Sequence, residues 1–162
     1  MVLMDCDGVM TDGRVVFASG AGEIKAFNAR DGVGMRLAQA LGIEVGIVTG
    51  RRSEAVARRA RELGLREVHQ KVRDKRARVE KLLRRRRLGY AELCFIGDDI
   101  IDLPVLRRAG LAVAPADAHA EVHRRVHWVT RHRGGQGAVR EVLDLLLDSQ
   151  GMTASLMERY LS

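Results

Sequence analysis

Short apolar runs alternate with longer stretches of helical period along nearly the whole chain. The apolar runs that predict strands are Val2 to Met4, Ile43 to Val48, Glu67 to His69, Leu93 to Ile96, Leu111 to Ala114 and His127 to Val129. Strands that alternate with helices form a parallel sheet covered by helices, because a parallel connection needs a crossover segment. The pattern therefore predicts an α/β fold with a Rossmann-like parallel sheet and flanking helices.

Three of the predicted helices have recognisable ends. One covers residues 53–64, with Ser53 as an acceptable N-cap, and the next covers residues 74–89. The last covers residues 137–148, and its apolar residues recur at helical spacing. That apolar stripe consists of Val139, Val142, Leu143, Leu146 and Leu147. Such a stripe predicts a helix face packed on the sheet rather than a cofactor site.

One segment departs from this alternation. The stretches Arg14 to Phe17 and Glu23 to Asn28 both predict strands, and the Ser-Gly-Ala-Gly stretch between them, residues 19–22, is turn chemistry. Residues 13–28 are therefore predicted to form a small β-hairpin inserted after the first strand. We expect residues 1–149 to form a single domain, since the length lies in the single-domain range, and residues 150–162 to form a C-terminal tail.

The net charge of +7 and the pI near 10.2 favour anionic partners, which include nucleic acid, an anionic surface and a phosphorylated small molecule. Part of that charge comes from the run Arg84 to Arg87, which predicts a solvated helix face. The sequence has no zinc-finger spacing and no aromatic RNA-binding signature, so we expect no nucleic-acid partner. It has no run near the roughly 20 apolar residues that span a bilayer and no secretory signal pattern, so we expect a cytoplasmic protein without a membrane partner.

Cysteine and histidine spacing predicts no metal site. Cys6 and Cys94 lie far apart in the sequence, which is typical of reduced thiols near core strands. His119 and His123 are four residues apart but match neither the HExxH pattern nor its inverse. Surface or capping histidines are the simpler interpretation.

Four polar clusters follow four of the predicted strands, at the point where each strand ends. Asp5 and Asp7 follow the first strand and Thr49 follows the second; Lys75 opens the helix after the third, and Asp98 follows the fourth. Because the carboxyl ends of parallel strands meet at one edge of a sheet, we expect these side chains to lie close together. One of the paired aspartates can attack phosphorus while the other exchanges protons with the leaving oxygen and with water. Hydroxyl and ammonium groups suit phosphate oxygens, and an acidic cluster suits a hard cation such as Mg²⁺.

The order of these clusters, paired aspartates, threonine, lysine and acidic cluster, resembles the four-motif pattern of the haloacid dehalogenase phosphatases. Three further stretches carry a closer resemblance: Phe27 to Gly32, Ala116 to His119 and Gly134 to Val142. With the short hairpin in place of a cap domain, they resemble the 3-deoxy-D-manno-octulosonate 8-phosphate phosphatase family over nearly the whole chain. Only four residues precede Asp5, fewer than is usual in that family, so the predicted first strand is short.

The resemblance implies a Mg²⁺-dependent phosphatase. Its reaction would hydrolyse 3-deoxy-D-manno-octulosonate (KDO) 8-phosphate through an aspartyl-phosphate, in lipopolysaccharide precursor biosynthesis. It further implies Asp5 as the nucleophile and Asp7 as the acid and base. Thr49 and Lys75 would offset the charge on the transferring phosphoryl oxygens.

The resemblance also implies a set of ligands for the metal and the substrate. The carboxylates of Asp5 and Asp98 and the carbonyl of Asp7 would hold Mg²⁺, with Asp99 and Asp102 orienting the metal shell. The residues that would meet the substrate, a small sugar acid phosphate, are Asp7, Asn28, Ala29, Arg30, Asp31, Gly32, Arg36, Arg51, Arg59 and Lys75.

The same resemblance implies a homotetramer in which a neighbouring subunit covers each site, because the hairpin is too small to do so. The tail has apolar residues that suit such a contact: Met152, Leu156, Met157, Tyr160 and Leu161. Two interpretations of the tail stay open, a segment that reaches a neighbouring site and a frayed terminus.

Two other functions stay open at this point. One is the same chemistry on a nine-carbon sugar acid 9-phosphate, since related phosphatases differ mainly in hairpin and pocket residues. The other is a nucleic-acid-binding or regulatory protein on a phosphatase scaffold, which the basic charge would favour. The presence of Asp5, Asp7, Lys75 and Asp98 argues against the second, since a scaffold used only for binding has no chemical need for that set.

Overall fold

A computed structural model of the chain describes residues 1–20 and 22–161. The strands are β1 (Val2–Met4), β2 (Val16–Ala18), β3 (Gly22–Ile24), β4 (Val45–Val48), β5 (Glu67–His69), β6 (Cys94–Ile96), β7 (Leu111–Ala114) and β8 (Trp128–Val129). The helices are α1 (Ala29–Ala40), α2 (Glu54–Glu62), α3 (Lys75–Arg86), α4 (Leu103–Leu106), α5 (Ala120–His123), α6 (Ala138–Ser149) and α7 (Thr153–Leu161), and single turns of 3-10 helix span Tyr90–Glu92 and Ile100–Asp102.

Six strands form one parallel sheet in the order β5-β4-β1-β6-β7-β8. The short strand β1 lies in the middle, where Met4 is in register with Ile47 on one side and with Ile96 on the other. The chain builds the sheet outward from β1 in one direction, through β4 and β5, and then in the other, from β6 to β8. This reversal leaves a crevice at the carboxyl end of β1, which is where ligands bind in sheets of this kind. The predicted α/β fold is confirmed.

Both faces of the sheet are buried, as expected for parallel strands. Alternate residues of β1 enter different cores, because successive side chains of a strand point to opposite faces. Met4 packs with Met35 of α1 and Leu143 of α6 on one face, while Leu3 packs with Val79 of α3 on the other. Burying each such side chain contributes roughly 1.5–3 kcal/mol, which fixes the short central strand from both sides.

The hairpin forms a separate two-stranded sheet in which Val16 pairs with Ile24. Its second strand ends at Ile24, so the predicted strand up to Asn28 is wrong beyond that residue. The reason is local: Asn28 accepts a hydrogen bond from the backbone of Arg30 and is the N-cap of α1. Ala21, in the predicted turn, lies outside the described residues.

Most of the predicted tail is helical. Gly151, with φ of 69°, lies just beyond α6, and α7 then covers Thr153–Leu161. Ser162 lies outside the described part of the chain. Tyr160 and Leu161 are exposed. Over the described residues, no helix is long and apolar enough to cross a membrane.

The predictions of thiols near core strands and of a capping histidine agree with the structure. Cys6 and Cys94 are buried and free, and burial raises the pKa of the Cys94 thiol to about 12. His119 is the N-cap of α5, where its Nδ1 accepts a hydrogen bond from the backbone of Glu121. His123 lies within hydrogen-bond distance of the Pro115 carbonyl.

The arginine run at the end of α3 is exposed, as predicted. Part of its charge is nevertheless paired. Arg85 binds both carboxylate oxygens of Glu67, a buried residue at the start of β5, at 2.6 and 2.7 Å, and Arg86 binds one of them at 2.5 Å. This part of the basic charge is therefore neutralised by ion pairs within the protein.

Candidate active site

Three aspartates and a lysine meet at the carboxyl end of β1. Asp5 follows β1, Asp98 and Asp102 lie in the loop and 3-10 turn after β6, and Lys75 is the first residue of α3. Carboxylate oxygens of the three aspartates lie within 4.8 Å of one another. Asp5, Asp102 and Lys75 are buried, with 5% or less of each residue exposed. The four residues form what we call the aspartate cluster.

Lys75 holds two of these carboxylates. Its Nζ lies 2.8 Å from Asp5 Oδ2 and 2.6 Å from Asp102 Oδ1. Burial alone would lower the pKa of Lys75, but the two carboxylates outweigh burial and raise it, so the ammonium stays charged. The other oxygen of Asp5 accepts a hydrogen bond of 2.7 Å from the backbone of Cys6. The Asp5 carboxylate is thus fixed at both oxygens.

Asp98 is in a less favourable environment. Burial, together with the charges of Asp102 and Asp5, raises the pKa of Asp98 to about 7. Within the described part of the chain, its Oδ1 is buried without a hydrogen-bond partner. Its Oδ2 lies so close to Gly8 that a Cβ at Gly8 would stand 2.0 Å away, so only glycine fits there. An unpartnered carboxylate oxygen beside two other acids is suited to a hard divalent cation, which prefers oxygen ligands.

Asp102 differs from Asp98 because its oxygens already have partners. Oδ1 accepts from Lys75, and Oδ2 accepts from the backbone amides of Asp98 and Asp99 at 3.2 and 3.4 Å. Burial raises the pKa of Asp102 to about 6, although Lys75 acts in the opposite direction. These contacts suit a residue that orients the loop around Asp98. The Asp99 carboxylate instead accepts from the adjacent amide of Ile100.

Asp7 belongs to a second group of charges, which the sequence did not reveal. Lys25 contacts Asp7 Oδ1 and lies 3.5 Å from Glu23 Oε1, while Arg51 donates to Glu23 Oε1 at 2.6 Å. Arg51 Nε lies 3.7 Å from Asp7 Oδ2. Burial would lower the pKa of Lys25, but Asp7 outweighs it and raises that pKa. We call these four residues the hairpin charge network.

Thr49 and Arg51 follow β4, at the same edge of the sheet. Thr49 is 2% exposed, and its backbone amide donates to the carbonyl of His69, which continues the pairing of β4 with β5. Arg51 is exposed. The predicted residues that the structure brings together directly are therefore Asp5, Asp98 and Lys75 in the aspartate cluster, and Asp7 and Arg51 in the hairpin charge network.

The predicted substrate residues around the start of α1 contact their own helix and the segment that leads into α6. Besides capping α1, the Asn28 side chain donates to the carbonyl of Gly135 at 3.4 Å. Asp31 is buried and accepts from the backbone amide of Arg140 at 2.8 Å, and burial raises its pKa. These contacts join α1 to α6 and to the loop that contains Gly135, which precedes α6. Ala29 and Arg30 are exposed in the first turn of α1.

Arg59 and Arg36 lie on different helices. Arg59 of α2 reaches back to the carbonyl of Asn28 at 3.5 Å and passes Gly32 so closely that a Cβ there would stand 2.2 Å from its Nη2. Arg36 of α1 is exposed and lines a surface groove with Tyr160 of α7. The structure thus places Arg59 beside Asn28 and places Arg36 beside the tail helix.

Comparisons with known proteins place this geometry in context. A family model for haloacid dehalogenase-like hydrolases matches residues 16–110. The 3-deoxy-D-manno-octulosonate 8-phosphate phosphatase KdsC of Escherichia coli K12 is 43% identical over 151 residues, which make up 93% of this chain and 80% of that protein.

Two solved structures have the same fold. One is a 3-deoxy-D-manno-octulosonate 8-phosphate phosphatase from Moraxella catarrhalis in complex with magnesium, phosphate and KDO. It has a TM-score of 0.95 and 33% identity, and the match covers 98% of this chain and 91% of that one. The other is the cobalt-bound form of the Haemophilus influenzae phosphatase, with a TM-score of 0.87 and 35% identity over 93% of this chain and 88% of that one.

The sequence identity extends over most of both chains, and the two structural matches cover 98% and 93% of this chain. The aspartate cluster gives this likeness a chemical basis, because carboxylates and a buried lysine at the carboxyl end of β1 suit phosphoryl transfer. The chain therefore belongs to the 3-deoxy-D-manno-octulosonate 8-phosphate phosphatase family of the haloacid dehalogenase-like hydrolases.

Proposed function

We propose that this protein is a Mg²⁺-dependent phosphatase that hydrolyses KDO 8-phosphate to KDO and phosphate, as a step in making lipopolysaccharide precursors. The observation that carries the proposal is the aspartate cluster, in which Asp5 is held by Lys75 next to the unpartnered carboxylate oxygen of Asp98. The identity to phosphatases named for this substrate supports the choice of sugar acid.

The reaction has two half-reactions. In the first, a carboxylate oxygen of Asp5 attacks phosphorus, the bond from phosphorus to the sugar oxygen breaks, and Asp7 gives a proton to that oxygen. In the second, water attacks the aspartyl-phosphate, Asp7 takes a proton from the water, and the bond from phosphorus to Asp5 breaks. Lys75 stays protonated throughout and, with Thr49, offsets charge on the phosphoryl oxygens.

The residues present also fit a magnesium ion. Asp5 and Asp98, with the carbonyl of Asp7, would hold it, and Asp102 would orient the Asp98 loop through the two backbone amides that it binds. When bound, Mg²⁺ supplies positive charge for the transferring phosphoryl group and offsets the burial and the neighbouring acids that raise the pKa of Asp98.

The substrate's second negative group needs cations as well. Arg30, Arg36, Arg51 and Arg59 are the arginines that we assign to the sugar acid, together with Asn28, Ala29, Asp31 and Gly32 at the start of α1. Arg51 lies beside the proposed acid and base, since its Nε is 3.7 Å from Asp7 Oδ2. Guanidinium groups bind carboxylate and phosphate oxygens in a planar, two-point geometry.

The hairpin supports a homotetramer. Its apolar side chains are exposed, with 72% of Phe17, 49% of Ile24, 45% of Val16 and 44% of Val15 accessible. Several large apolar side chains exposed on one small hairpin mark an interface, and closed symmetry would let hairpins associate while a neighbouring subunit covers each site. Light scattering of the wild type and of Phe17→Ser tests this. We expect the wild type to be a tetramer and Phe17→Ser to dissociate, whereas a monomeric wild type would refute the proposed tetramer.

The substrate is tested by phosphate release from purified protein with Mg²⁺. The panel contains KDO 8-phosphate, a nine-carbon sugar acid 9-phosphate and simple sugar phosphates that lack a carboxylate. We expect KDO 8-phosphate to have the highest kcat/KM. A higher value for the nine-carbon ester would retain the chemistry and replace the substrate, while equal values for sugars without a carboxylate would refute a site built for a sugar acid.

A further inference from the structure

Lys25 is a lysine whose side chain has no exposed surface. It follows β3 in the hairpin, contacts Asp7 Oδ1 and lies 3.5 Å from Glu23 Oε1. Lysine is almost never fully buried unless it is paired, because taking an ammonium out of water costs several kcal/mol. The buried position of Lys25 therefore depends on the two carboxylates, and one of them is the proposed acid and base.

The contacts of Asp7 are not symmetric. Lys25 contacts Oδ1 directly, whereas the nearest guanidinium nitrogen of Arg51 lies 3.7 Å from Oδ2, beyond the range of a hydrogen bond. Arg51 is held instead by Glu23, at 2.6 Å. One oxygen of Asp7 is thus anchored to the hairpin, and the other has no direct hydrogen bond from these two cations.

Strand geometry explains how the hairpin does this. Residues two apart in an extended segment point to the same side, so Glu23 and Lys25 face Asp7 and Arg51 together. Ile24 between them is 49% exposed on the opposite side. The hairpin therefore turns Glu23 and Lys25 toward the site, while Ile24 and its register partner Val16 face the other way.

We propose that Lys25 is a positioning residue for the reaction: it anchors Oδ1 of Asp7 so that Oδ2 meets the leaving sugar oxygen and, in the second half-reaction, the attacking water. Lys25 keeps its own protons, and the transferred proton moves only between Asp7, the sugar oxygen and water. The inference rests on the proposed phosphatase function. Proton transfer needs a heavy-atom distance of about 2.6–3.2 Å, and a displacement of about 1 Å can cost roughly 10²-fold in rate.

The first test uses the full-length protein with Mg²⁺ and compares KDO 8-phosphate with p-nitrophenyl phosphate. Lys25→Met removes the charge but keeps an unbranched side chain. We expect its kcat on KDO 8-phosphate to fall roughly 10- to 100-fold, with KM changed less than about threefold. The rate of the nitrophenol burst, which reports the first half-reaction, should stay within about threefold of wild type, because nitrophenolate leaves without needing a proton.

Two further variants separate positioning from stability. Lys25→Arg retains a cation and should recover part of the lost kcat. Arg14→Met is the matched control and should keep wild-type kinetics. It removes an exposed cation of the hairpin whose one ion pair among the described residues is with Asp12. Melting temperatures of all variants check the fold, and if Lys25→Met does not fold, Lys25→Gln, which also removes the charge, takes its place in each comparison.

The decisive measurement is a double-mutant cycle with Asp7→Asn. The cycle compares the residual single-turnover rates on KDO 8-phosphate. If Lys25 acts through Asp7, adding Lys25→Met to Asp7→Asn should lower that residual rate no further, because there is no carboxylate left to position. Additive losses, an unchanged kcat in Lys25→Met, or an equal loss in the nitrophenol burst would overturn the inference. The proposed function fails differently, through an inactive wild type or an active Asp5→Asn, so the two failures are distinguishable.

Discussion

The pKa of Asp98 predicts how stability should depend on pH and metal. In the folded protein it is raised from 3.8 to about 7, so the folded state keeps this proton while the unfolded chain has already lost it. Stability from this group is therefore lost as pH rises from about 4 to 7. The full shift corresponds to at most about 4 kcal/mol, since one pKa unit is about 1.4 kcal/mol. Roughly 2 kcal/mol of that loss falls between pH 5 and 7.5.

Chemical denaturation of the wild type and of Asp98→Asn measures this loss. In EDTA, the free energy of unfolding of the variant should rise by roughly 2 kcal/mol relative to that of the wild type between pH 5 and 7.5. This change corresponds to about 4–8 °C in melting temperature for a chain of this size. In millimolar Mg²⁺ at pH 7.5 the wild type should become more stable and the variant should not, because a bound cation stabilises the folded state only where Asp98 can hold it. A difference between the two proteins that does not change with pH, or Mg²⁺ stabilising both equally, would refute this account of Asp98.

Three further predictions concern the acid and base, the tail and the basic charge. Asp7→Asn should form phosphoenzyme with p-nitrophenyl phosphate yet stall on KDO 8-phosphate; equal losses on both esters in rapid-quench assays would contradict the assigned role. Deleting residues 151–162 should leave the protein folded, since α7 has no buried residue, but change kcat or KM several-fold; unchanged kinetics and a monomer by light scattering would exclude a shared site. Random duplex DNA should bind no tighter than about 10⁻⁶ M at physiological salt, and nanomolar binding by fluorescence anisotropy would revive a nucleic-acid function.

The aspartate cluster was predictable from sequence because it depends on strand ends. Asp5 and Asp98 follow strands that are neighbours in the sheet, and parallel strands bring their carboxyl ends to one edge whatever the details of packing. Lys75 joins them as the first residue of a helix whose N-cap, Asp74, is itself recognisable from the sequence. These predictions needed only the alternation of strands and helices.

The hairpin charge network was not predictable in the same way. The contact between Lys25 and Asp7 depends on how the hairpin folds back over the loop after β1, which no local pattern determines. The available signal was the spacing of Glu23 and Lys25, two charged residues on one side of a predicted strand. Asn28 shows the opposite case, since its side-chain capping of α1 overrides the strand pattern that includes it.

The most direct test of the account is the fate of the phosphoryl group in Asp5→Asn. The amide is nearly isosteric with the carboxylate but cannot attack phosphorus, so the variant should fold with an unchanged circular dichroism spectrum and should release no phosphate from KDO 8-phosphate with Mg²⁺. Acid-quenched wild type should carry a covalent phosphoryl label that the variant lacks. Phosphate release by Asp5→Asn within about tenfold of wild type, or a label that persists in the variant, would contradict Asp5 as the nucleophile.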